Sequence, residues 1–181
     1  LKKEELYLKK QITKNSRVLE VGCGSGRSLN KLLSITKNLV GIDYDKKAIN
    51  MAKNNFKNYS EVKIFLCDAK KLPFKDNSFD FVICMTTFAN FGKNKFIVLE
   101  EMKRVVKQNG FIIISVYSEN VFEERMKIYK HFKAPIKMIE GTTVIFDEKV
   151  VDNVSEQFSK SELIDIFNKV DLKVIEIKKL G

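Results

Sequence analysis

The chain has 181 residues, 44% of them hydrophobic and 31% charged, and a formal net charge of +10 at neutral pH. Length and apolar content suit one domain with a real core. No apolar run approaches the ~20 residues that span a bilayer, and Leu1-Lys2-Lys3-Glu4-Glu5 lacks a signal-peptide pattern, so a soluble, cytoplasmic protein with no membrane partner is expected. Cys23, Cys67 and Cys84 show no C-x-x-C spacing and His131 is the one histidine, which argues against a disulfide framework and against a zinc site.

In chain order, residues 2–12 read as an amphipathic helix with Leu6, Tyr7 and Ile12 as its apolar contacts. The run Val18-Leu19-Glu20-Val21 then reads as a strand that collapses into Gly22-Cys23-Gly24-Ser25-Gly26. Glycines at this spacing form a tight turn whose N–H groups approach a ligand without a Cβ in the way, at the positive end of the following helix. That is a nucleotide-type cofactor site. A dinucleotide fingerprint, G-x-G-x-x-G, needs its third glycine where Arg27 stands; here the spacing is G-x-G-x-G.

After a helix carried by Leu29, Leu32 and Leu33, the strand Leu39-Val40-Gly41-Ile42 ends at Asp43, followed by Tyr44. An ionised carboxylate at a strand tip offers acceptors only, which suits a pair of ribose hydroxyls. Val62–Leu66 forms the next strand and runs into Cys67-Asp68-Ala69; Leu72-Pro73-Phe74 precedes a further strand, Ser78 to Cys84. Arg104 to Ile114 reads as helix, turn and strand, with Gly110 at the bend. Strands alternating with helices from about 17 to 117 predict a parallel sheet wound on both faces. Beyond it, the sequence predicts a helix over 120–132 and a hairpin made of Thr142–Phe146, a turn at Asp147-Glu148-Lys149 and Val150–Val154. Ser159 and Glu162 form a capping box for a helix through Leu163, Ile166 and Phe167, and Leu172–Ile177 reads as a last strand.

Glu20 two residues before the first glycine, the G-x-G-x-G turn, Asp43, the Cys67-Asp68-Ala69 strand end and the Leu72-Pro73-Phe74 … Ser78-Phe79-Asp80 signature follow one another in family order over residues 16 to 117. Together they resemble the class I S-adenosylmethionine (SAM) dependent methyltransferases. The resemblance implies an α/β fold: a Rossmann-like, doubly wound, mostly parallel sheet with a helix and β-hairpin insertion before the last helix. It divides a single domain into an N-terminal helix (1–14), a cofactor-binding core (15–117), a substrate-side insertion (118–158), and a last helix and strand (159–181). The family's closing antiparallel strand is expected outside the sequence shown, which therefore reads as part of a longer product.

The same resemblance implies SAM as methyl donor and S-adenosylhomocysteine as product. It places Glu20, Gly22, Cys23, Gly24, Gly26, Asp43, Tyr44, Asp68, Ala69, Cys84 and Phe88 at the cofactor, with Asp68 and Ala69 toward the adenine. A sulfonium methyl is already electrophilic, so the transfer needs the acceptor held in line with water excluded, and often a base. No catalytic residue is assigned. Asn90, just past the fourth strand, is a candidate for orienting an acceptor, and His131 for base work at neutral pH. No Asn/Asp-Pro-Pro-Tyr/Phe element follows that strand, where the chain reads Cys84-Met85-Thr86-Thr87, and Cys84 reads as a core thiol. A small-molecule acceptor leads, with RNA or protein acceptors, a non-methylating SAM-fold enzyme and a partner subunit as alternatives. Residues 1–90 hold 17 Lys+Arg against 9 Asp+Glu, but the lysines are scattered singly, so nucleic acid is not favoured. A monomer or homodimer is expected.

Overall fold

The strand β1 (Val18–Val21) is buried along its whole length, as a strand covered on both faces must be. It pairs in parallel with β2 (Leu39–Asp43), which pairs in parallel with β3 (Val62–Leu66). On its other side β1 pairs in parallel with β4 (Phe79–Met85), so Val18 lies opposite both Leu39 and Phe81; β5 (Val106–Ser115) completes the order β3-β2-β1-β4-β5. The direction of travel reverses beside β1, and open α/β sheets bind their ligands at the carboxyl ends of the strands at that switch point. The computed structural model describes residues 2–147 and 153–180, apart from the side chain of Lys2. Among the described residues no helix is long and apolar enough to cross a membrane.

The chain forms two compact units: Leu1–Met85, Ile97–Ile114 and Lys178–Gly181 in the first, Thr86–Phe96 and Ser115–Ile177 in the second. In the first, α1 (Lys2–Gln11), α2 (Arg27–Leu32) and α3 (Lys46–Asn55) flank the sheet. Their Leu8, Leu29, Leu32 and Ile49 join Ile12, Phe56, Val18, Leu39, Val62, Phe81 and Ile83 in one buried cluster, each such side chain contributing about 1.5–3 kcal/mol. The expected contact Leu6 is instead 59% exposed, and Leu8 is buried. Leu8 and Ile12 are four apart and share a helix face, which leaves Leu6 on the solvent side.

The signature between β3 and β4 is a latch. Arg104, in the last turn of α4 (Lys95–Val105), donates to both carboxylate oxygens of Glu101 (2.7 Å each), to Asp76 (2.8 Å) and to the carbonyls of Phe74 (2.7 Å) and Leu72 (3.0 Å). Asp80 accepts from the Arg17 N–H (2.8 Å) and from Lys107 (2.7 Å), tying β4 to the entrance of β1 and to β5. Burial opposes its ionisation, yet these partners hold its carboxyl below the usual range. Gly110 lies within β5 rather than at a turn ahead of it. A Cβ there would come within 2.7 Å of the Asp80 carbonyl oxygen, so glycine permits a close approach to β4 instead of marking the strand's start.

In the second unit α5 (Phe122–His131) is followed by a meander of β6 (Ile136–Glu140), β7 (Thr143–Phe146) and β8 (Val154–Ser155), all antiparallel. The expected hairpin is the β7 to β8 pair; Glu148 to Asp152 of that expectation lie outside the described residues. β6 was not expected, because Ile136-Lys137-Met138-Ile139-Glu140 lacks alternation and only Ile136 is turned into the cluster of Met126, Val144 and Phe146. The capping box is present: the Glu162 N–H donates to Ser159 Oγ (3.1 Å) and the Ser159 N–H to Glu162 Oε2 (2.7 Å), opening α6 (Lys160–Asn168). Leu172–Ile177 carries no strand, and Ile175 is 73% exposed. Its alternation makes a strand only where a neighbour supplies a ladder.

Candidate functional site

The turn after β1 is held open by β2. Gly22 and Cys23 both donate their N–H to the Ile42 carbonyl (2.9 Å each), Gly24 donates to Asp43 Oδ2 (2.8 Å), and Asp45 donates to Asp43 Oδ1 (2.9 Å). Asp43 therefore clamps the glycine turn with one oxygen and the start of α3 with the other. Each oxygen keeps a further lone pair for a ligand. The three glycines sit at φ 72°, 55° and 88°, a region that side chains disfavour.

Their roles differ beyond that. A Cβ at Gly26 would come within 2.2 Å of the Phe56 ring, so this position is closed by the protein's own core. Nothing lies within 4 Å of a Cβ at Gly24. Gly24 thus leaves a space that only a ligand or solvent fills. Gly41 of β2, not assigned to the site from sequence, is the floor of this turn: a Cβ there would meet Leu29 at 2.6 Å and Cys23 Sγ at 2.9 Å. Cys23 contributes shape and no reactivity. Its N–H is spent on Ile42, and burial, with the nearby Glu20 and Asp43 charges, pushes its thiol far above the ordinary range.

Glu20 is 2% exposed, and its Oε2 has no hydrogen-bond partner. Burial raises its carboxyl pKa to about 8, although the Ser28 hydroxyl and the Leu29 N–H at the start of α2 favour the charged form. A buried orphan acceptor is costly to retain. A cationic donor reaching Oε2 would satisfy it and restore its charge.

The remaining expected residues divide between the units. In the first, the Cys67 N–H donates to the Asp43 carbonyl (2.9 Å), which joins the ends of β2 and β3. Asp68 is exposed beyond β3, and its carboxylate accepts from the Lys70 N–H (2.9 Å) and pairs with the Lys70 ammonium (3.3 Å). Ala69 sits half-buried in the same turn, and Tyr44 is 51% exposed next to Asp43. Glu20, Asp43 and Asp68 thus stand on or just beyond three successive parallel strands. Cys84 is fully buried within β4.

In the second unit Phe88 is fully buried against Phe91, Phe158 and Phe167, which makes it a core residue there. Asn90 ends a short 3₁₀ turn over Phe88–Asn90 and is half-buried. His131 is the exposed last residue of α5, edge-on to Phe132, where a basic side chain suits the helix's negative end. Sequence reasoning gave no role to the backbone of Thr86, a β-branched residue at φ 66° whose N–H is captured by the Ser115 carbonyl (3.0 Å) and hydroxyl (3.2 Å). Such strain directly after a central strand is common at functional sites.

Residues 19–114 match the family described as "Methyltransferase domain". The chain belongs to the methyltransferase domain family. It is similar to the demethylmenaquinone methyltransferase of Staphylococcus aureus, 31% identical over 131 residues, which are 69% of this chain and 54% of that protein. The chain spans about half the length of the curated relatives it matches. A SAM-dependent methyltransferase from Methanosarcina mazei shares the fold with a TM-score of 0.72 at 21% identity, covering 91% of this chain and 82% of that one. One from Thermotoga maritima superposes with a TM-score of 0.64 at 26% identity, over 92% and 68%. The matched span, Leu19 to Ile114, runs from the second residue of β1 to the last but one of β5 and contains the glycine turn and both ends of the Asp43 clamp. The methyltransferase fold here is the central parallel five-stranded sheet with flanking helices.

Proposed function

We propose that this chain binds SAM at the glycine turn and serves transfer of its methyl group to a small-molecule acceptor by in-line displacement. The observation that carries the reading is the orphan Oε2 of Glu20 on the strand that leads into the glycine turn, where Gly24 is open. SAM presents an ammonium at its methionine end, the donor that Glu20 lacks, and ribose hydroxyls that suit the remaining lone pairs of Asp43. Gly22, Cys23 and Gly26 shape the turn, and Asp68, Ala69 and Tyr44 offer the polar and aromatic surroundings of a nucleoside. Cys84 supports the site from within β4.

When bound, SAM supplies a methyl group already activated by its sulfonium. The chain's own residues bind, orient and exclude water, which is most of what such a displacement needs. Residues 118–158 hold the acceptor in this reading, and Asn90 orients it. His131, exposed at the end of α5, is the candidate for base work at neutral pH. The Staphylococcus relative's name specifies a small-molecule acceptor, which supports that class over RNA or protein. The test is release of S-adenosylhomocysteine across a panel of small phenols, quinols, amines and carboxylates. Turnover with one chemical class supports the reading; turnover only with RNA or protein overturns the acceptor class.

A further inference from the structure

Four buried side-chain atoms among the described residues have no hydrogen-bond partner: Glu20 Oε2, Glu156 Oε2, Arg125 Nε and Gln157 Oε1. The first belongs to the cofactor site. Glu156 is already committed through its other oxygen, which pairs with Lys95 at 2.6 Å. Arg125 and Gln157 remain, and both reach the same atom: Arg125 Nη2 lies 3.5 Å from Ser155 Oγ, and Gln157 Nε2 lies 3.2 Å from it.

The surroundings of Arg125 are unusual for a half-buried cation. Its hydrogen-bond partners among the described residues are two hydroxyls, Tyr129 and Ser155, and no carboxylate. Its guanidinium stacks on the Tyr117 ring at 3.8 Å and lies 5.0 Å from the Tyr129 ring centre. By contrast, Lys95 has Glu156, and Arg104 has Glu101 and Asp76. A cation withdrawn from water without a counter-charge is unfavourable unless something supplies one. Ser155 and Gln157 are 5% and 2% exposed, so the polar cluster is built into the meander rather than scattered on its surface.

We propose that Arg125, with Tyr129, Ser155 and Gln157, forms an oxyanion site in the second unit that receives the carboxylate or phenolate of a small aromatic acceptor. The guanidinium fork matches a planar oxyanion, Nε supplies the uncommitted donor, and the exposed Tyr117 ring offers a face for an aromatic body. Gln157 Oε1 accepts from a hydroxyl beside the oxyanion. The inference rests on the reading of residues 118–158 as the acceptor segment and narrows its substrate class to organic anions.

The test uses the chain with benzoate and its neutral isostere benzamide, followed by NMR at the Arg125 Nε–H and the Ser155 and Gln157 amides. Benzoate is expected to shift these signals and to bind at least tenfold tighter than benzamide, and Arg125→Met is expected to abolish that preference. Gln157→Glu supplies an internal counter-charge, so it should weaken benzoate at least tenfold while the melting temperature holds or rises. Equal binding of the two probes, unchanged benzoate binding in Arg125→Met, or a cluster that responds to neither probe, as when a buried water alone bridges it, overturns the site. SAM titration separates the two readings. Benzoate binding without SAM binding sinks the methyltransferase reading and leaves the anion site; SAM binding without a benzoate response sinks the anion site alone.

Discussion

The two units solve the same problem, polar groups buried beside a would-be ligand, by different means. In the first, neighbouring strand ends do the work. The N–H groups of Gly22, Cys23 and Gly24 are met by Ile42 and Asp43, one residue apart on β2, and a single acceptor, on Glu20, is left over. In the second, the buried cluster gathers Arg125 from α5, Ser155 from β8 and Gln157 just beyond it, and leaves both a donor and an acceptor without partners. A site built on adjacent backbone of consecutive strands is specified by local spacing. A site built on side chains 30 residues apart is specified by packing, which allows it to change while the first stays fixed.

The largest effect should come from the clamp that defines the first unit. Asp43→Ala removes the acceptor of the Gly24 and Asp45 N–H groups together with the proposed ribose partner. SAM affinity should fall at least 100-fold, about 3 kcal/mol, in a protein whose circular dichroism is unchanged. If calorimetry shows less than a fivefold loss, the turn does not depend on β2.

Gly26 and Gly24 differ in what a side chain there would meet. Gly26→Ala drives a methyl into Phe56 at a left-handed φ and should cost about 2–4 kcal/mol of stability in urea unfolding. Phe56→Leu in the same chain should recover part of that loss. Gly24→Ala meets no atom, so it should cost about 1 kcal/mol of stability while SAM affinity drops tenfold or more. The two variants thus separate a glycine kept for folding from one kept for a ligand.

Glu20 gives a pH signature. Its folded pKa, about 8, lies above its value of 4.5 when solvated, so the folded state holds a proton that the unfolded state has released between those limits. Stability of the ligand-free protein should therefore fall as pH rises from about 4.5 to 8 and level off above, with no contribution below 4.5. SAM, which favours the charged carboxylate, should bind more tightly from pH 6 to 8. Glu20→Gln should flatten both profiles, as thermal unfolding and titration at several pH values would show.

The smallest effect probes the second unit's local geometry. Ser159→Ala loses the capping box of α6 at a cost of about 1 kcal/mol and should leave SAM affinity within a factor of two.

What could be read in advance follows the same division. The β1 turn, the strands β1 to β3 and the positions of Glu20, Asp43 and Asp68 on or just beyond them are legible because each is fixed by residues within one strand and its exit. The capping box was legible for the same reason, being complete within Ser159 to Glu162. Leu8 against Leu6 turned on helix phase, and Gly110 on the approach of a neighbouring strand, neither of which the run of residues states. β6 lacks alternation, and Phe88 became core through Phe158 and Phe167, some 70 to 80 positions away. Arg125 carries no signal in the sequence, since its proposed role rests on its having hydroxyls and no carboxylate as hydrogen-bond partners among the described residues.

Calorimetric titration of the wild-type chain with SAM and S-adenosylhomocysteine, with NADH as control, should show micromolar binding of both sulfur ligands and none of NADH. A folded protein that binds NADH, or that binds neither sulfur ligand, contradicts the proposed SAM site.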